Sequence, residues 1–376
     1  MENNQYLKGE SILKINLSLE TSELRSRVMG NLTEIENGIR STDVNIWQKV
    51  KDSLNSLDKQ WPLQQHVLME ARHQNNSVLA RYLCARYRYD FYPKQQILDE
   101  YPPCVQIEPT SICNFRCVFC FQTDIKLNKP NQGHMGQMTF EMFKSIVDEI
   151  EGKVDFITLA SRGEPLLNKK LPEMLAYAKG KFLGLKINTN ASRLTDEMSR
   201  IILDSGVSTV VFSADAGDKD VYESLRVNGD FDKVMSNISK FNQIRKMEFA
   251  NSKTLTRVSG VLFNPAQQDM GSHRAAWENL VDQVAFVNYL PWENPYDSKP
   301  SEVDEPCSDL WRRMFIWWDG KVNPCDVDYL SWLSVGNVKE NKISELWNSE
   351  GYSSLRKSHN ENMRKNITPC KSCFVK

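Results

Sequence analysis

The chain has 376 residues, 40% of them apolar and 25% charged, with a formal net charge of −1. That length exceeds one small domain, so two or three units with sizeable cores are expected, and the near-neutral charge argues against a broad nucleic-acid-binding surface. No apolar run approaches the ~18 residues of a membrane span. Met1-Glu2-Asn3-Asn4-Gln5 lacks the basic and apolar regions of a signal peptide. The expectation is a soluble, cytoplasmic protein with neither membrane nor nucleic acid among its partners. Nine cysteines in a reducing compartment do not suggest a disulfide framework. Three lie together near residue 115 and four in the last 70 residues or so, which suits two metal centres.

Residues 1–98 read as a polar, helical extension. Leu24, Val28, Leu32 and Ile35 recur at helical spacing, as do Ile46, Val50 and Leu54. The Arg- and Tyr-rich stretch Arg81–Tyr89 reads as an amphipathic helix packing its tyrosines, with anion or glycan binding as the other option. No nucleotide or metal motif occurs in this extension.

Pro102-Pro103 marks entry to the next unit, and Val105-Gln106-Ile107-Glu108 alternates like a short strand. Directly after it comes C-x3-C-x2-C, formed by Cys113, Cys117 and Cys120. Three close thiolates can wrap one face of a metal centre. Structural zinc wants four ligands, and iron–sulfur clusters usually take four cysteines. The loop is therefore either short of a distant ligand or leaves one metal position open.

Beyond the loop, strands and helices alternate. Strands are expected over 154–160, 182–188, 208–213, 256–263 and 284–289, with helices over 171–179, 196–204, 232–246 and 275–281. Such alternation builds a parallel sheet with helices outside. The pattern fits an α/β fold, a partial (β/α)6 TIM-type barrel, better than a Rossmann sheet, because no G-x-G-x-x-G or G-x4-G-K-[ST] phosphate cradle appears. Function in parallel α/β folds gathers at the C-terminal ends of strands. Those ends here carry Ser161-Arg162-Gly163-Glu164-Pro165, then Asn188-Thr189-Asn190, then Ser213-Ala214-Asp215.

In the C-terminal segment Cys307 precedes Asp319-Gly320, a hairpin signal, and Cys325 follows it. A helix is expected over 343–357, and Cys370-Lys371-Ser372-Cys373 comes after it. Four thiolates complete a tetrahedral or cubane site, and local spacing alone leaves zinc and iron–sulfur both open.

The C-x3-C-x2-C loop, with Phe119 just before its last cysteine, resembles the cluster loop of the radical S-adenosylmethionine (SAM) enzymes. The resemblance implies a [4Fe–4S] cluster held by Cys113, Cys117 and Cys120, whose fourth iron is chelated by SAM. Gly163, Glu164 and Pro165 resemble the end of the family's GGEP motif, which binds the SAM amino group; Arg162 stands where the motif has its first glycine. The resemblance implies further SAM contacts at Asn188, Asn190 and Ser213. Arg226 is a candidate for the SAM carboxylate, an ordinary surface ion pair being the alternative. The C-terminal set Cys307, Cys325, Cys370 and Cys373 resembles the SPASM domain in its short, twitch form, implying one auxiliary [4Fe–4S] cluster. The expected organisation is 1–98 extension, 99–292 radical SAM core and 293–376 auxiliary-cluster domain.

That family implies a 5′-deoxyadenosyl radical that abstracts hydrogen from a substrate carbon, with a reducing donor such as flavodoxin or ferredoxin supplying the first electron. Oxidation of an alcohol on a sugar or cyclitol is the leading expectation, the auxiliary cluster accepting an electron. A base is then needed, and Asp326 or Glu293 could serve, though either could equally be a structural carboxylate. Epimerisation would instead need a hydrogen donor, for which Cys104 is a candidate, a buried structural thiol being the plainer reading. Modification of a peptide substrate is a third option, and a zinc-stabilised scaffold without activity a fourth.

Overall fold

The computed structural model describes residues 17–55, 61, 63–129 and 132–376. Residues 1–5, where the sequence lacks signal-peptide character, and the start of the helical extension lie outside these. Among the described residues no helix is long and apolar enough to cross a membrane. The chain forms two compact units, one of which is 13–99 and the other of which contains 100–376.

Every regular element described in the first unit is helical. Its long helices are Leu17–Gly30, Val44–Asn55 and Asn76–Gln95, with shorter ones at Leu32–Glu36 and Gln65–His73. The single periodic run read from Leu24 to Ile35 is thus two helices, broken after Gly30. Ile46, Trp47, Val50 and Leu54 are buried together on one helix face, as a 3.6-residue period requires. The helix Asn76–Gln95 buries more than one face: Leu79, Tyr82, Leu83, Tyr87, Tyr89 and Tyr92 are all inside. Two of its arginines, Arg86 and Arg88, meet carboxylates. Arg86 grips both oxygens of Asp90 at 3.0 and 3.1 Å, and Arg88 reaches Asp43 at 2.6 Å and Asp99 at 2.5 Å. The Arg/Tyr stretch is core rather than binding surface.

In the second unit the strands, in chain order, are β1 (Cys104–Ile107), β2 (Arg116–Cys117), β3 (Phe156–Leu159), β4 (Gly184–Thr189), β5 (Thr209–Ser213) and β6 (Arg226–Val227). They continue as β7 (Leu255–Leu262), β8 (Gln283–Asn288), β9 (Arg313–Ile316), β10 (Lys321–Asn323) and β11 (Gly336–Asn337). One sheet runs β11-β10-β9-β1-β3-β4-β5-β7-β8. Its six strands β1, β3, β4, β5, β7 and β8 are mutually parallel, which gives the expected partial (β/α)6 barrel. Helices cover its outside. Phe143, Ile146, Val147 and Ile150 are the buried face of the helix Phe140–Ile150, and Leu171, Met174, Leu175 and Ala178 that of Leu171–Ala178. Several start on capping side chains: Thr139 accepts from the Met142 N–H, Thr195 from Met198 and Asp230 from Lys233.

Two features depart from the sequence reading. The helix expected over 343–357 is two, Ile343–Trp347 and Glu350–Asn360, because Ser349 caps a new start. The hairpin at Asp319-Gly320 is present, with Gly320 at φ +90°, but it does not form a separate ribbon. Its first strand, β9, pairs in parallel with β1 from Cys104↔Arg313 to Ile107↔Ile316, so the C-terminal segment extends the barrel sheet itself.

Asp43→Ala leaves the buried Arg88 with one anion instead of two. It should cost about 3–5 kcal/mol in the helical unit, read as an earlier urea transition in far-UV circular dichroism.

Candidate functional site

The first cysteine set follows β1, at the C-terminal mouth of the barrel. Its loop is fixed by backbone pairing of β2 with β6, Arg116↔Val227 and Cys117↔Arg226, a link the sequence does not announce. Cys117 is buried; Cys113 and Cys120 are half-buried. Burial raises all three thiols, Cys113 to about 12, and the three act on one another's charge. The four C-terminal thiols do the same: burial raises each, and Cys307, Cys325, Cys370 and Cys373 are mutually coupled. All are free of disulfides. Among the described residues no three such side chains are drawn tightly enough together to hold a single metal ion. The thiols of each set face one another without closing on one point. Sulfur donors in threes and fours suit iron–sulfur or zinc chemistry, and a metal would have to displace the raised protons.

Gly163 explains its own presence. A Cβ there would meet the Thr110 carbonyl oxygen at 2.3 Å and that of Ile112 at 2.6 Å, both backbone atoms of the approach to the cysteine loop. Glu164 is buried and caps the turn Pro165–Leu167. Its carboxylate accepts from Thr189 Oγ1 at 2.6 Å, the Asn190 N–H at 2.6 Å and the Leu166 N–H at 3.1 Å. Burial raises its pKa against these bonds. Three donors leave one lone-pair site of about four, room for one ammonium N–H. Cys113 feels the Glu164 charge, so turn and thiol are neighbours.

Asn188, at the end of β4, keeps a buried Oδ1 with no partner, the polar vacancy a ligand group would fill. Asn190 is committed: its Oδ1 accepts from Ser192 N and Oγ, and its Nδ2 reaches Asn114 Oδ1 at 3.2 Å. It braces the cysteine loop. Ser213, half-buried, ends β5, and Phe119 packs on Phe263 at 5.7 Å.

Arg226 is neither exposed nor on a surface pair. It lies buried with Nε 2.6 Å from Asp215 Oδ2, Nη1 3.7 Å from Cys117 Sγ, and its guanidinium over the Phe119 ring. Asp215, fully buried, is the last residue of the strand end Ser213-Ala214-Asp215, and its role as the partner of Arg226 comes from the structure.

Arg162, the departure from the glycine motif, is also fully engaged. Nε and Nη2 grip the two oxygens of Glu108 at 2.7 Å each. Nη1 donates to the Tyr329 carbonyl at 2.9 Å, and the guanidinium lies 4.4 Å from the Trp317 ring centroid. Next to it, Ser161 Oγ donates to Asp326 Oδ1 at 2.6 Å, while Gln106 Nε2 donates to Oδ2 at 2.6 Å. Asp326, half-buried and next to Cys325, therefore joins the ends of β1 and β3. Desolvation raises it to about 6 despite both hydrogen bonds. Gln106 and Ser161 stand in the strand and strand end read from sequence, but their shared bond to Asp326 is a non-local feature that the sequence does not show.

The remaining candidates separate. Glu293 accepts from Tyr289 Oη and keeps a buried Oε2 without a partner. Cys104 is buried at the N-terminal start of β1, bonded to Thr158 and raised by desolvation. Three residues of strand, about 10 Å, separate it from Ile107 and the mouth, so the structure does not bring it to the other groups.

Comparison with known proteins gives the same picture. The profile of the Radical SAM superfamily matches residues 107–248, and that of SPASM, an iron–sulfur cluster-binding domain, matches 307–374, together more than half of the chain. The chain is 24% identical over 303 residues to the tungsten-containing aldehyde ferredoxin oxidoreductase cofactor-modifying protein of Pyrococcus furiosus, covering 66% of this chain and 82% of that one. It is 22% identical over 278 residues to the SAM-dependent 2-deoxy-scyllo-inosamine dehydrogenase of Niallia circulans, covering 72% and 91%. Among solved structures, native anSMEcpe with bound AdoMet superposes with TM-score 0.53 at 16% identity, over 72% of this chain and 87% of that one, a likeness of fold.

Gly163→Ala should force turn and cysteine loop apart, costing about 1–3 kcal/mol. After anaerobic reconstitution it should hold about half the iron of the parent, the C-terminal set still filling; iron and sulfide analysis checks this.

Proposed function

Because the chain belongs to the radical SAM superfamily and carries a SPASM iron–sulfur domain, we propose that Cys113, Cys117 and Cys120 hold the SAM-binding [4Fe–4S] cluster. Cys307, Cys325, Cys370 and Cys373 hold an auxiliary one, and the enzyme oxidises an alcohol carbon of a sugar or cyclitol. When bound, these groups supply a 5′-deoxyadenosyl radical for hydrogen abstraction and an acceptor for the electron that follows. The chain's own residues do the rest. Glu164 offers its free lone pair to the SAM ammonium, and Asn188 offers its unpaired oxygen. Asp326 takes the hydroxyl proton as the carbon is oxidised. The dehydrogenase activity in the name of the relative from Niallia circulans supports the reaction class.

The observation that carries this reading is the placement of Asp326. Its carboxylate bridges Gln106 and Ser161 at the strand ends, beside a thiol of the second set and two residues from Gly163 along Ser161's own turn. A base in that position serves a hydroxyl presented to the mouth. A reducing cytoplasmic setting suits nine free cysteines, and a flavodoxin- or ferredoxin-type donor would supply the first electron.

Anaerobic reconstitution should yield about eight irons per chain and 5′-deoxyadenosine on addition of SAM and reductant. With sugar and amino-cyclitol alcohols, a ketone should form. Asp326→Asn should lower ketone formation by about 10²–10⁴-fold while 5′-deoxyadenosine still accumulates. Undiminished oxidation by a Cys325→Ala, Cys370→Ala variant would remove the auxiliary cluster from the reaction. Solvent deuterium in an unoxidised product would replace oxidation with epimerisation, and turnover of peptides alone would redirect the substrate class.

A further inference from the structure

Among the described residues five arginines are buried. Arg162 meets Glu108, Arg226 meets Asp215 and Arg86 meets Asp90, as the cost of an unpaired buried charge demands. Arg364 and Arg356 have no such partner. Arg364 is 1% exposed, and every bond it makes is to a neutral carbonyl: Nε to Cys370 at 3.2 Å, Nη1 to Glu305 at 2.9 Å and Nη2 to Cys373 at 2.8 Å. Among the described residues no carboxylate lies within ion-pair distance of it. Glu361, nearest in sequence, pairs with Lys357, while Glu305, whose carbonyl Arg364 holds, pairs with Lys376 and Asp304 with Lys365.

Arg364 instead holds the backbone of two C-terminal cysteines, Cys370 and Cys373. Its charge acts on Cys307, Cys370 and Cys373, three of the four C-terminal thiols. His359, whose Nδ1 accepts from the Cys307 N–H at 3.2 Å, is held neutral by burial and by Arg364 itself. Arg356 also lacks a carboxylate, but its cation rests between the rings of Trp347 and Tyr352 at 4.3 and 4.7 Å.

We propose that Arg364 is a counter-charge of the auxiliary cluster and raises its reduction potential. Four thiolates around a cubane make an anionic group, and net charge is one of the levers on its potential. Taking up an electron adds negative charge, which an uncompensated cation in a low-dielectric interior favours. The first site has an arginine too, but Arg226 is ion-paired with Asp215, whereas the carboxylates whose charge reaches the C-terminal thiols, Asp309 and Asp328, form no ion pair with Arg364.

The inference rests on reading the four thiols as a cluster and not on the substrate; its failure would leave the alcohol-oxidation reading standing. The test uses the full-length chain with Cys113, Cys117 and Cys120 replaced by alanine, so that only the auxiliary centre contributes. Arg364→Gln and Arg364→Lys are reconstituted in that background and titrated by EPR-monitored reduction. Arg364→Gln should make reduction at least about tenfold less favourable, about 59 mV lower for a one-electron couple, whereas Arg364→Lys stays near the parent. Iron uptake by the lysine variant but not the glutamine variant also supports a required charge. Three equal potentials, a lysine variant displaced as far as the glutamine variant, or failure of the lysine variant to bind iron would overturn the proposal. The last outcome would make the guanidinium a clamp on three carbonyls.

Discussion

The Glu108–Arg162 pair, with both side chains at 2% exposure or less, is the contact on which the site's architecture depends. Glu108 continues β1, its N–H bonded to Ile316 of β9; Arg162 opens the turn after β3. The same guanidinium holds the Tyr329 carbonyl and covers Trp317, and Glu108 also accepts from the Trp318 N–H at 3.3 Å. Removing two charges from water is costly, and attraction offsets it only where geometry and remaining hydrogen bonds are good. Here each oxygen of Glu108 is met by Arg162. The arrangement ties three segments distant in sequence: the approach to the cysteine loop, the Gly163-Glu164 turn and the loop after Cys325. A glycine at position 162 could do none of this.

Around that pair the mouth is a lattice of side chains serving backbone. Gln122 Nε2 joins the carbonyls of Ser111 and Arg162, and Asn168 joins those of Pro109 and Met138. Such buried amides, each donating to two backbone carbonyls, fix loops that have little apolar content of their own. They also show how one polar residue type splits into two roles. Asn190 is consumed in bracing the loop, while Asn188 keeps an oxygen unpaired.

The barrel was legible in the sequence because its strands are short apolar runs separated by helices with plain periodicity. The thiols and Gly163-Glu164 were legible because their chemistry is local. What escaped was non-local. Nothing near residue 313 states that it will pair with Cys104, or near 226 that it will meet 117. Arg226 looked ambiguous since its partner, Asp215, is reached across a helix and a turn. Cys104 stands at the start of the first strand in the sequence reading, and the structure keeps it there, at the end of β1 away from the loop. The helix Phe140–Ile150 is absent from the expected elements, although its apolar face, Phe143, Ile146, Val147 and Ile150, is as plain in the sequence as those of its neighbours.

The parallel pairing of β9 with β1 has a further consequence, for synthesis on the ribosome. β1 belongs to the first third of the chain, and its outer neighbour arrives some two hundred residues later. Throughout that interval the nascent half-barrel carries an open strand edge, a template for wrong partners. The segment that supplies β9 also carries the second thiol set, so covering that edge and bringing in those thiols go together.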